Sequence, residues 1–174
     1  LSDHGMSEVD PSLFIDTNTL PRPKGFRRVN SSTRVMYYRR DPKADVAALA
    51  ATLREASNGR YRVVSDETLA ERHYKHHPAV AELIIETDPP RLFRHGGAQG
   101  PDLRGMHGYP AEVEDMAAFL VAIGPGFSVG KVIPKAHQLD VYPIAATLLD
   151  LSLPAGIVSQ GGTLRDALAQ PIRE

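Results

Sequence analysis

Cysteine is absent from the 174 residues, so neither disulfides nor thiolate metal sites are available. A membrane-spanning run is absent too. The longest apolar stretch, 116–123, falls far short of the roughly 18 residues a helical span needs. An excess of one charge is equally missing. Twenty Lys and Arg stand against 21 Asp and Glu, with a pI near 6.7. That balance gives no reason to expect a polyanion such as a nucleic-acid duplex, or an anionic membrane surface, as partner. There is no basic tract, acidic tail, low-complexity run or internal repeat. The N-terminus shows no basic segment followed by an apolar one, and no initiating methionine. The expectation is that the chain begins in the middle of an element, so its compartment stays open.

What is present is ordinary for a globular protein: 42% hydrophobic and 24% charged residues, on a chain of one-domain size with room for a small insertion. Residues 7–32, rich in Pro, Asp, Asn and Ser, read as loop or irregular strand. The β-branched and aromatic stretch 33–39 predicts a strand. Asp41-Pro42 signals a helix start, and Val46, Leu49, Leu53 and Ala56 then share one helical face up to the Asn58-Gly59 stop. Residues 61–64 predict a second strand. Residues 79–85 and 91–93, separated by Asp88-Pro89-Pro90, predict a hairpin or two short strands. A Gly-rich loop follows over 96–108. The continuous apolar run 116–123 predicts a strand buried on both faces, stopped by Gly124-Pro125-Gly126. Asp140 is placed to cap a helix over 141–151, with Ile144, Leu148 and Leu151 as its buried stripe. A last short helix is expected over 164–169.

Two places carry chemistry. Asp3-His4-Gly5 offers a carboxylate and an imidazole on adjacent residues, both good ligands for a divalent ion, with a glycine that lets the chain turn. Neighbouring side chains converge in this way where a strand ends and its alternation breaks down. Gly105-Met106-His107-Gly108-Tyr109 sets a histidine between glycines, where a loop passes close to a ligand. Other polar clusters read as solvated surface. His73, His76 and His77 fit no helical metal pair and run into Pro78. Arg22, Lys24, Arg27, Arg28, Arg39 and Arg40 form a scattered basic segment, able to meet a phosphate but accompanied in sequence by no aromatic platform or glycine cradle.

Taken in chain order, Ser2-Asp3-His4-Gly5-Met6, Gly105-Met106-His107-Gly108-Tyr109, the 116–127 stretch and Val141-Tyr142 through Leu149, with Pro154 and Gly162-Thr163 beyond, resemble the nucleotide pyrophosphatase/phosphodiesterases of the alkaline phosphatase superfamily. The match is looser over 7–95. Two positions depart from that family's pattern: Pro110 stands where an acidic residue is common, and Val158-Ser159-Gln160-Gly161 where Asn or Asp is usual. Neither is a ligand.

The resemblance implies an α/β fold, an alkaline-phosphatase-like sheet flanked by helices. It would be present in part, formed by 1–32 and 96–174, with 33–95 as a small α+β insertion near the site. It implies two divalent metal ions, zinc by preference, with Asp3 and His4 on one and His107 on the other. It also implies a threonine nucleophile, which would lie upstream of this chain together with the remaining ligands. Thr17 and Thr19 sit in Pro-bounded loop sequence and read as surface. No catalytic side chain is therefore assigned here, and the chain alone would be inactive.

The expected activity is hydrolysis of phosphodiester or pyrophosphate bonds in nucleotides or related small molecules, outside the cytoplasm. The absence of cysteine points to a bacterial member. Two alternatives stay open: a phosphomonoester, phosphonate or sulfate-ester hydrolase of the same superfamily, and a non-catalytic fragment. Oligomeric state is not specified.

Overall fold

The computed structural model describes residues 1–74, 77–96 and 102–169. His76, and residues 97–101 of the Gly-rich loop, lie outside the described residues. The fold is mixed α/β and divides into two compact units, 1–119 and 120–174.

In the first unit, β1 (Ser7–Glu8) and β2 (Ile15–Asp16) precede β3 (Phe26–Asn30) and β4 (Arg34–Arg39). Helix α1 (Val46–Ser57), β5 (Arg62–Val63), α2 (Asp66–Glu71), β6 (Leu83–Glu86), β7 (Phe93–Arg94) and β8 (Gly105–Met106) follow. Four strands make one antiparallel sheet in the order β3-β4-β6-β5. Alternation along β4 decides its two faces. Val35 and Tyr37 turn to one side, where α1 lays Leu49 and Leu53 against them; Met36 and Tyr38 turn to the other, against Leu69 of α2 and Ile84. Because both faces are covered, β6 reads Leu-Ile-Ile-Glu without alternation and is buried at every position.

The predicted strands at 33–39 and 61–64 are present, and of the α1 stripe Leu49 and Leu53 are buried while Val46 and Ala56 at its ends are half-buried. The helix starts later than Asp41-Pro42 suggests. The N–H groups of Arg40 and Asp41 both donate to the Gly25 carbonyl, and the Asp41 carboxylate accepts from Lys43 N–H. That turn holds the chain out of helix until Asp45, whose carboxylate accepts the Ala48 N–H at 2.9 Å. Asn58 ends the helix in the left-handed region at φ 45°. The stretches 79–85 and 91–93 give the two short strands rather than the hairpin: β6 pairs with β4 and β5, while β7 runs parallel to β2.

The apolar run 116–123 is not the buried strand its composition predicts. Met116 closes a short 3-10 turn, and 117–123 is irregular and largely exposed, with Ile123 at 91%. Hydrophobicity asks for burial but supplies no pairing partner, and 120–123 join no strand among the described residues.

In the second unit, α3 (Val141–Leu148) is shorter than 141–151. Ile144 is buried, whereas Leu148 and Leu151 are exposed. Asp140 holds the N-cap position without capping. Its buried carboxylate turns back to accept from His137 N–H at 3.2 Å and from the Ser159 hydroxyl. The final helical turn is 3-10, over Gly162–Ala167.

Candidate functional site

Strand β1 follows directly on the Asp-His-Gly-Met segment, and its antiparallel partner is β8, with Ser7 opposite Met106 and Glu8 opposite Gly105. Two residues back from Ser7 is Gly5, and just past Met106 is His107. The pairing therefore carries the two sequence motifs to the same end of one ladder. Their rings meet there: His4 and His107 stack with centroids 3.7 Å apart and planes 8° from parallel.

The local geometry of His4 aims it. Its Nδ1 lies 2.8 Å from the Gly5 carbonyl oxygen, a contact that places the proton on Nδ1. In the neutral ring Nε2 then carries the lone pair, and it faces Asp3 Oδ2 at 3.4 Å. Two lone-pair atoms at that separation repel unless a proton or a metal ion lies between them. The gap also matches the edge of a tetrahedron whose ligands stand about 2.0–2.2 Å from a central ion. Asp3 is exposed, His4 half-buried and His107 exposed, so solvent and solute ions reach all three. Among the described residues no three metal-ligating side chains surround a single point, so the cluster is a pair, Asp3 with His4, flanked by the His107 ring.

Residues that sequence reasoning passed over hold this cluster in place. Residues 2–5 run beside 116–119, with Ser2 N–H donating to the Phe119 carbonyl and Gly5 N–H to that of Met116. Gly5 is required by close approach: a Cβ there would lie 1.9 Å from the Asp115 carbonyl oxygen. The buried Ser7 hydroxyl donates to the Asp115 carboxylate at 3.0 Å. On the His107 side, the Gly108 carbonyl accepts from the Thr33 hydroxyl at 2.6 Å and from Arg34 Nη2 at 3.0 Å. Gly108 itself sits at φ +85°, where a side chain is strained. Tyr109 anchors the next turn. It is buried, its hydroxyl donates to the Arg91 carbonyl at 2.7 Å, and burial, aided by Asp88, pushes its pKa up to about 12. No sequence signal marks Thr33, Arg34 or Asp115. The closely spaced glycines were the only hint.

Of the two threonines near the motif, Thr17 is not the surface residue expected: it is 1% exposed, its hydroxyl closed off from solvent with no hydrogen-bond partner among the described residues. Thr19 is exposed, and its hydroxyl donates to the Asp16 carbonyl. Of the histidine-rich stretch, His77 accepts the Ala79 N–H in a turn and His73 is exposed, as a solvated loop requires.

The sequence pattern of type I phosphodiesterase / nucleotide pyrophosphatase matches residues 1–110. The chain belongs to that family. Among curated relatives it is similar to the bis(5'-adenosyl)-triphosphatase enpp4 of Xenopus laevis, 25% identical over 152 residues, which cover 87% of this chain and 32% of that one. The solved structure of human ectonucleotide pyrophosphatase/phosphodiesterase 5 superposes with a TM-score of 0.81 at 22% identity, over 97% of this chain and 44% of that one. The murine counterpart, an inactive variant in complex with AMP, superposes at 0.77 with 23% identity, over the same shares of the two chains. These likenesses establish a shared family fold. The chain spans about a third of the length of the curated relatives it matches.

Proposed function

We propose that this chain contributes half of the catalytic centre of a metal-dependent hydrolase of phosphodiester or pyrophosphate bonds in nucleotides or related small molecules. The observation that carries the reading is the meeting of Asp3, His4 and His107 at one end of the β1-β8 ladder. The donor set fits a divalent ion: a carboxylate oxygen and an imidazole Nε2 whose tautomer a backbone carbonyl holds. That is the outer support metal-bound histidines normally receive.

In this proposal Asp3 and His4 hold one zinc ion and His107 contributes to a second. Such a pair of ions supplies charge for both the attacking and the leaving oxygen of an in-line displacement at phosphorus. The residues of this chain present the donors, keep the His4 tautomer and fix the His107 loop through Thr33 and Arg34. The nucleophile, a threonine, and the remaining ligands lie outside these 174 residues. Segment 33–95 acts as an inserted subdomain beside the centre. The names of the relatives, a bis(5'-adenosyl)-triphosphatase and ectonucleotide pyrophosphatases, support a nucleotide substrate and a place outside the cytoplasm. Among the described residues no helix is long and apolar enough to cross a membrane. The cysteine-free composition supports a bacterial source.

The test is turnover of bis-p-nitrophenyl phosphate by the whole protein. A chelator abolishes it, zinc restores it, and His107→Ala lowers it at least about a hundredfold, the loss expected when a metal ligand or its support is removed. Full activity in His107→Ala overturns the assigned role, and faster turnover of monoesters or sulfate esters moves the protein to another branch of the superfamily.

A further inference from the structure

The basic segment before and within β3 has no aromatic platform in the linear sequence; the fold gives it one. Along β3, Phe26, Arg28 and Asn30 occupy alternate positions and so stand on one face of the strand. Tyr37 lies directly across from Arg28 in the β3-β4 register. With Arg22 and Pro23 from the preceding loop, these side chains line a cavity of about 330 Å³. Two of the six are arginines and none is acidic, in a chain whose overall charge is near neutral.

The cavity is built rather than incidental. Three hydrogen bonds fasten the loop that forms its wall. The Tyr37 hydroxyl donates to the Pro21 carbonyl at 3.1 Å, Arg28 Nη1 to the Leu20 carbonyl at 3.2 Å, and Arg22 Nη2 to Asn18 Oδ1 at 3.3 Å. Each arginine spends only part of its five N–H groups on the protein, Arg28 also facing the Tyr37 hydroxyl, and the rest are available to a ligand. A guanidinium already fixed in position loses little conformational freedom on binding, and its planar fork matches the oxygens of a phosphate. Phe26, partly packed against the core, supplies the aromatic part of the same lining.

We propose that this cavity binds a phosphate monoester carried on a planar aromatic group, the phosphate held by Arg22 and Arg28 and the ring laid against Phe26. The proposal uses none of the residues of the metal centre. Its ligand is defined by two charges facing one dianion, beside one aromatic wall.

Calorimetric titration of the whole protein with phenyl phosphate, in chelator so that no hydrolysis intervenes, tests it against inorganic phosphate and phenol. Phenyl phosphate is expected to bind about tenfold more tightly than inorganic phosphate, as an aromatic contact adds, and phenol not measurably. Arg22→Gln, at an exposed position that leaves folding intact, is expected to weaken phenyl phosphate about tenfold or more, and Arg28→Gln at least as much. Phe26→Leu is expected to bring phenyl phosphate close to the level of inorganic phosphate. Unchanged affinity in Arg22→Gln overturns the site, as does a loss that appears in His107→Ala instead. Equal binding of phenyl and inorganic phosphate overturns the aromatic half.

Discussion

Thr33, at the head of strand β4, reaches across 75 positions of sequence to hold the carbonyl of Gly108 at 2.6 Å. His107 is the residue before that carbonyl. One hydroxyl, 3% exposed at its residue, thereby links the central sheet to the loop that presents an imidazole. Thr33→Val keeps the shape and removes the donor. The expected cost is about 1 kcal/mol of stability, since Arg34 still serves the carbonyl. If the proposed metal centre holds, metal affinity is expected to fall further than stability does, read from paired thermal melts and zinc titrations.

Gly5→Ala is a sharper lesion. The added methyl would sit 1.9 Å from a backbone oxygen of Asp115, and backbone cannot swing away as a long side chain can. Residues 2–5 must leave the 116–119 segment, carrying Asp3 and His4 out of position. Bound metal, measured by elemental analysis after dialysis, is expected to drop to the level of His4→Ala. Gly96→Ala serves as the comparison: its Cβ would meet nothing within 4 Å, so the strain of its φ of +74° is all it adds.

A buried carboxylate organises the far end of the sheet. Glu86, 2% exposed on β6, accepts from Arg62 Nη2 at 2.9 Å and Arg72 Nη1 at 2.9 Å, and those arginines continue to Asp88 and Glu112. Glu86→Ala leaves two cations facing a void. Complete burial of such a pair would make the loss about 3–5 kcal/mol; with Arg62 half exposed, about 2–3 kcal/mol is expected, read from denaturant midpoints.

Alkaline pH should destabilise the first unit through its buried phenols. Burial pushes the pKa of Tyr37 up to about 12 against the opposing pull of Arg28, and that of Tyr109 up to about 12. A folded pKa above the unfolded value of 10.0 means the neutral form is the one the fold favours. The stabilisation is complete below pH 10 and is lost progressively as pH rises towards about 12. The absorbance difference between the parent and its Tyr37→Phe and Tyr109→Phe variants isolates these two phenols from the exposed Tyr74 and Tyr142, and it should grow in step with the loss of circular dichroism. Ionisation of these two at pH near 10 in a still-folded chain would contradict the assignment.

How much of this was legible beforehand depends on the range of the interaction concerned. The β4 strand and the α1 stripe follow from periods of 2 and 3.6 over a few residues, and both are present. The start of α1 was misread because Asp41 and Asp45 are equivalent as local signals. Only the distant Gly25 carbonyl, which engages Arg40 and Asp41, separates them. The 116–123 run was misread because apolar composition cannot say which strand will pair with it. Helix α2 was missed, although Ser65 caps it at Thr68 N–H, because six residues are too few for periodicity to register.

The metal-type donors Asp3, His4 and His107, the glycines beside them and the family itself were determined by the order of residues alone. Residue types carry their ligand chemistry wherever they stand, and family motifs are local. Whether those donors meet was not so determined. The β1-β8 register, the Thr33 and Arg34 anchors on Gly108, and the alternation that gathers Phe26, Arg28 and Asn30 over Tyr37 are relations between distant segments. They exist only once backbone pairing and packing have chosen which distant residues share a surface.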